Sequence, residues 1–269
     1  MSGRPASTVR AWRPAVPGVT EVFHARFTDH AYPMHAHDSW TLLIVDSGTV
    51  TYDLERHPHL AASQVVTLLP PFVPHNGRSA TPAGFRKRVV YLDGSQLGDQ
   101  LIGRSVDEPV IVDELLRAWI ARLHAALVVP GEEFAAEGRL ALVGERLRGH
   151  LRTRAPVDPP AGGAVLAHRL RDLLDAHRTA GISLAAAAGV LHAHPAHLVR
   201  TFTSVFGMAP HRYLTSRRVD HARRLLLDGM PAREVATAVG FYDQSHLTRH
   251  FSRVVGVPPG AYARSDRTA

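Results

Sequence analysis

No cysteine occurs among the 269 residues, which excludes disulfide staples, thiolate nucleophiles and cysteine-ligated zinc, and fits a reducing compartment. Long apolar runs are missing too, and none approaches the eighteen or so residues a membrane span needs. The first twenty residues carry Arg4, Arg10, Arg13 and several prolines, unlike the apolar core of a signal peptide. A soluble, cytoplasmic protein without a membrane partner is therefore expected. Nucleophile elbows, phosphate loops and paired-carboxylate motifs are also absent, so no catalytic residue and no enzyme activity is expected.

What is present is unevenly distributed. From Ala164 to Ala269 there are 14 Arg against 7 acidic residues, while residues 1–163 hold 17 basic against 17 acidic, so the whole net charge of +7 is C-terminal. Such an asymmetry suits a second half that faces a polyanion, because neutralising phosphates releases counterions; a merely solvated basic surface has the same composition. The two halves meet at RTRAPVDPPAGG, residues 152–163, with three prolines and two glycines and no apolar period. It reads as a linker.

Upstream, Ser39–Val45, Thr49–Leu54, Val65–Leu69 and Phe85–Leu92 are short β-branched and aromatic runs punctuated by turn signals, which predicts a β domain over residues 1–110. Helical spacing follows from Asp113 to Val128 and from Glu132 to Leu151, so residues 111–151 should form two helices that pack on the sheet or pair with a second chain. Beyond the linker, residues 164–269 hold only short helical segments separated by glycine and proline breaks. The fold class is α+β.

An internal repeat organises the C-terminal half. His197–Phe202 reads HLVRTF and, 49 residues on, His246–Phe251 reads HLTRHF; Phe206-Gly207-Met208-Ala209-Pro210 answers to Val255-Gly256-Val257-Pro258-Pro259, and Tyr213 to Tyr262. Each copy has the pattern of a helix-turn-helix. In the second, Pro231 suits a first helical turn, Val235, Ala236 and Val239 form one face, and Gly240 supplies the left-handed residue of the turn. Leu247, Phe251 and Val255 then point inward, as do Leu198, Phe202 and Phe206 in the first copy. The opposite faces present His194, Ala196, His197, Arg200 and Ser204, and Gln244, Ser245, His246, Arg249 and Arg253. Arginine there can reach guanine and small polar groups can reach bases or phosphates, or the arginines can pair with acids of their own domain. Pro210–Leu227 between the copies reads as one helix of about 27 Å. Two recognition helices on one face of a duplex would sit about 34 Å apart.

These residues resemble the AraC family of bacterial transcriptional regulators, whose DNA-binding region joins two helix-turn-helix units by a long helix. The similarity runs from Ile182 to Ala263 and is densest in GFYDQSHLTRHFSRVVGVPPGAY. Two positions depart from the pattern: His192 stands where the family usually has the turn glycine, and Ala187 where it usually has a larger aliphatic. The resemblance implies double-stranded promoter DNA as partner, RNA polymerase and homodimer formation as further partners, and an N-terminal cupin-like β-barrel that senses a small-molecule effector. Pro33-Met34-His35-Ala36-His37-Asp38 and Pro70-Pro71-Phe72-Val73-Pro74-His75 carry the barrel resemblance.

In that barrel His35 and His37, two apart on a strand, would share a face with His75 nearby, either as ligands of a divalent metal or as lining of an effector pocket. Asp38 is the carboxylate closest to them in sequence. Besides an effector-controlled regulator, the sequence leaves open a metal-dependent cupin enzyme with a DNA-binding tail and an effector-independent DNA binder.

Overall fold

The structure is a computed structural model, and it describes residues 7–152 and 162–264. Ten strands come first: β1 (Thr8–Trp12), β2 (Val19–Phe27), β3 (Ala31–His35), β4 (Trp40–Ser47), β5 (Val50–Leu54), β6 (His57–Ala61), β7 (Val66–Leu69), β8 (His75–Ser79), β9 (Phe85–Leu92) and β10 (Val110–Ile111). They form a six-stranded sheet, ordered β1-β2-β9-β4-β7-β10, and a four-stranded sheet, ordered β3-β8-β5-β6. Every pairing between these strands is antiparallel.

Burial on both faces explains why β4 and β9 read as nearly continuous apolar runs. Along β4, Trp40, Leu42 and Ile44 pack outward in one apolar cluster, while Leu43 and Val45 pack in another, inside the barrel. Covering the outer face are α3 (Glu114–Val128) and α4 (Glu133–Arg152), after the short helices α1 (Gly94–Leu97) and α2 (Ile102–Asp107). Asp113 caps α3 by accepting from the Leu116 amide, and its carboxylate also takes Arg146 at 2.6 Å and His150 at 2.7 Å from α4. Those donors, Arg146 foremost, hold the Asp113 carboxyl far below the usual carboxylate range. One side chain thus caps a helix and fastens it to its neighbour.

The C-terminal half is helical: α5 (Gly162–Ala176), α6 (Leu184–Leu191), α7 (Pro195–Phe206), α8 (Pro210–Leu227), α9 (Ala232–Ala238), α10 (Gln244–Val255) and α11 (Pro259–Arg264). Most of the expected linker, residues 153–161, lies outside the described residues; Arg152 ends α4, and Gly162 and Gly163 already begin α5. Pro231 sits at the N-cap of α9, one residue ahead of the expected first turn. The apolar cores do not respect the expected boundary between sensor and reader. Phe23, Leu43 and Tyr91 inside the barrel belong to one apolar cluster with Val219, Phe251, Val255 and Tyr262. Contact is tight enough that a Cβ on Gly256, just past α10, would lie 2.7 Å from the Phe27 ring of β2.

Candidate DNA interface and sensor cavity

Both helix-turn-helix units close their turns in the left-handed region. His192, at the C-cap of α6, has φ 49° and ψ 44°; Gly240, after α9, has φ 88°. Ala187 and Val235 each precede that residue by five and both are buried, so Ala187 fills a position where the second unit carries valine. The repeated inward set of Leu198, Phe202 and Phe206 and of Leu247, Phe251 and Val255 is buried throughout.

On the opposite faces, His194, His197, Arg200 and Ser204 of the first unit are exposed, as are Gln244, Ser245, Arg249 and Arg253 of the second. His246 is half-buried, its ring edge-on to Phe241 at 5.2 Å between centroids. The side chain of Ala196 lies outside the described residues. Neither Arg200 nor Arg249 joins an ion pair among the described residues. Both helices meet the barrel by their C-terminal ends: Arg56 donates to the Thr203 carbonyl of α7 at 2.9 Å, and Gly256 abuts Phe27. The N-terminal halves, which in a helix-turn-helix reach base edges, point away from those contacts.

Three of the four expected barrel residues converge. His35, at the end of β3, pairs in register with His75 at the start of β8. His37 lies beyond the strand, so the expectation that it shares a strand face with His35 is corrected: β3 stops and the chain turns it inward. Phe72 holds that turn, its amide donating to the His37 carbonyl at 2.7 Å from a left-handed backbone (φ 64°) that bulky residues rarely adopt. One ring nitrogen from each of His35, His37 and His75 lies within 4.8 Å of the others. All three side chains are buried, and burial pushes all three imidazoles down, His75 to about 3, so they are neutral at physiological pH. Asp38 does not join them. Its carboxylate takes Arg224 of α8 at 2.5 Å and Arg217 at 3.5 Å.

The histidines open on a barrel cavity of about 50 Å³ whose far wall belongs to the other half of the chain: Arg223 of α8 and Val254 and Val255 of α10. Buried charges close this wall. Arg223 binds Glu21 of β2, and the Tyr262 hydroxyl of α11 donates to the same carboxylate at 2.5 Å. Asp220 of α8 accepts from His37 Nδ1 at 2.9 Å and from Arg217 at 3.0 Å. Burial alone would raise the Asp220 carboxyl, but the His37 hydrogen bond and the Arg224 and Arg217 charges hold it well below the usual range.

Lys87 of β9 also lines the cavity, its ammonium 4.0 Å from the centroid of the Tyr32 ring. Burial lowers it to about 7. The sequence expectations named neither Lys87 nor Glu21, Asp220 or Arg223. A signal for the first existed: Lys87 is the one lysine in a sequence with 30 arginines.

A barrel capped on one side by its own helices and on the other by two helix-turn-helix units has the architecture of a ligand-binding domain joined to a helix-turn-helix domain. Residues 17–145 match the AraC-like ligand binding domain, and residues 187–265 match a helix-turn-helix domain. Among curated relatives, the HTH-type transcriptional regulator YobQ of Bacillus subtilis is 33% identical over 76 residues, covering 28% of this chain and 32% of YobQ. The transcriptional regulator LumQ of Photobacterium leiognathi is 30% identical over 90 residues, 33% of this chain and 36% of LumQ. The chain thus aligns with about a third of the length of these relatives. Among solved structures, ToxT from Vibrio cholerae superposes over 97% of this chain and 98% of its own with TM-score 0.57 at 13% identity, a likeness of fold. A form of ToxT described as bound to an unsaturated fatty acid gives 0.55, also at 13%, over 100% and 99%. The chain belongs to the AraC family of transcriptional regulators.

Proposed function

We propose that the chain is a cytoplasmic, non-enzymatic regulator that reads double-stranded promoter DNA with α7 and α10 and is controlled by what occupies the barrel cavity. The observation that carries the reading is the shared wall: Arg223 of α8, the helix joining the two units, lines the cavity itself. Exposed Arg200 and Arg249, without acidic partners among the described residues, are the groups offered to phosphates or guanine edges, with His197, Ser204, Gln244, Ser245, His246 and Arg253 around them. Recruitment of RNA polymerase and pairing of two chains through α3 and α4, where Leu115 and Leu142 are half exposed, belong to the same proposal.

The effector chemistry that suits the wall is a small acid, since the Arg223 guanidinium and the Lys87 amine offer hydrogen-bond donors in an otherwise apolar and imidazole-lined space. ToxT, described in complex with a fatty acid, supports an acidic ligand by analogy of fold. Ordinary ligand sites measure ~300–1,000 Å³, so anything larger than a few waters must part α8 and α10 from the barrel. An effector then favours whichever arrangement it fits, by as much as its affinities for the two differ. Selection of preferred sites from random DNA by the full chain tests the reading: two half-sites about one helical turn apart are expected. Binding that is sequence-independent at physiological salt would reject it.

A further inference from the structure

We propose that His35, His37 and His75 form a binding site for one divalent transition-metal ion, with Asp220 of α8 as the outer partner of His37. The inference goes beyond the regulatory reading and does not rest on it. The chemistry of the three rings is that of prepared ligands. His35 Nδ1 donates to the Pro33 carbonyl at 2.7 Å, His75 Nδ1 to the Val73 carbonyl at 3.1 Å, and His37 Nδ1 to Asp220 at 2.9 Å. The carbonyls and the Asp220 carboxylate can only accept, so these bonds favour the tautomer that leaves Nε2 with its lone pair free, for His37 against a longer 3.4 Å approach of Arg223 to the same Nδ1, and none of the three Nε2 atoms takes a hydrogen bond among the described residues. Backbone carbonyls and a carboxylate in this role are what metal-bound histidines usually have behind them.

Size and charge point the same way. A cavity of about 50 Å³ takes an ion with one or two waters, each water occupying roughly 30 Å³ in the liquid. Nitrogens each about 2.0–2.1 Å from a tetrahedral ion stand roughly 3.4 Å apart. Closing from within 4.8 Å asks for side-chain rotations on the order of 1 Å. The nearby guanidinium of Arg223 is matched by Glu21, while Asp220 stands directly behind His37. Three neutral imidazoles with no thiolate favour zinc, nickel, iron(II) or cobalt over calcium or magnesium. The remaining coordination positions face the cavity, open to water or to an acid.

Because Asp220 sits on the helix between the two reading units, the ion would tighten the His37–Asp220 contact across the boundary between the halves. The test uses untagged full-length protein freed of metal with a chelator and titrated with cobalt(II) and, separately, zinc(II). One equivalent of cobalt per chain with an intense visible band is expected, as is a zinc-dependent rise in melting temperature. His75→Gln and His35→Gln should lose the band and the zinc response, and Asp220→Asn should weaken binding by about 10–100-fold while keeping the band. The His57→Gln variant, altered at an exposed histidine, should behave as the parent. Failure of the parent chain to take up one equivalent, or uptake that survives the paired His35→Gln and His75→Gln changes, overturns the site. DNA binding by the metal-free chain is measured independently, so loss of one conclusion leaves the other standing.

Discussion

The two helix-turn-helix units are copies of one design tied to different neighbours. Their equivalent tyrosines show it. Tyr213 gives its hydroxyl to Asp175 of α5 at 2.8 Å, within the C-terminal half, whereas Tyr262 gives its hydroxyl to Glu21 of the barrel. The arginines of α8 differ in degree: Arg217 meets Asp175 and Asp220 of the C-terminal half and Asp38 of the barrel half at 3.5 Å, while Arg223 meets Glu21 of the barrel and Asp220 at 3.8 Å. The first unit closes its core mainly on α5, with Ala36 the one buried residue it takes from the barrel half; the second shares a core with many residues inside the barrel. A repeated sequence thus yields one unit anchored mainly on its own helix and touching the barrel at its edge, and one that shares its core with the barrel.

The largest break in this comparison should come from removing a single charge of the buried pair. Glu21→Ala leaves the buried Arg223 with only the more distant Asp220 at 3.8 Å and should cost about 3 kcal/mol in urea unfolding. Asp175→Ala should cost clearly less, because Arg217 retains Asp220 and Asp38; equal losses would dissolve the distinction. Next comes the turn of the second unit. Gly240→Ala places a Cβ 2.4 Å from the Thr179 carbonyl at φ 88°, so a loss of about 2 kcal/mol or more in unfolding free energy is expected from the clash and the left-handed backbone.

On DNA, Arg249→Ala should weaken binding to a selected site by about 1–3 kcal/mol in anisotropy titrations. Arg200→Ala should cost less if the first unit, with Ala187 in its core, is the looser reader. Acid should act on the sensor side. His24 of β2 is pushed down to about 4 and its partner His124 of α3 well below its usual value, both chiefly by burial. Between pH 6.5 and 4 the unfolded chain binds more protons than the folded one, so stability falls as pH falls, by up to about 1.4 kcal/mol per unit for each such group. A replacement of both by apolar residues should flatten that slope. The smallest effect is expected at His192→Gly, which relieves a left-handed non-glycine and should raise stability by about 0.5–1 kcal/mol.

Much of this was legible in the sequence, though unevenly. The reading half announced itself because a 49-residue repeat, glycine breaks and the spacing of Leu247, Phe251 and Val255 all specify helices that bury one face. Strands β4, β5, β7 and β9 were legible because their apolar residues are consecutive or alternate. Strands β3 and β6 were not: each carries a proline, Pro33 and Pro58, which edge positions in the four-stranded sheet tolerate. β8, reading HNGRS, has no apolar alternation at all. The convergence of His35, His37 and His75 was foreseen through the wrong geometry, since His37 arrives by a turn. Nothing local marks Asp220 or Arg223 as buried; charged residues on a long helix read as solvated until the barrel is seen to cover them.

A sequence with a single lysine, half-buried against Tyr32 and lowered to about 7, carries its own chemical tag. At neutral pH that amine is substantially unprotonated and nucleophilic, whereas arginines do not acylate. Amine-selective reagents would then mark the cavity and the α-amino group alone. Labelling kinetics at Lys87 then report directly on the cavity lining, read by peptide mass without any knowledge of the natural effector.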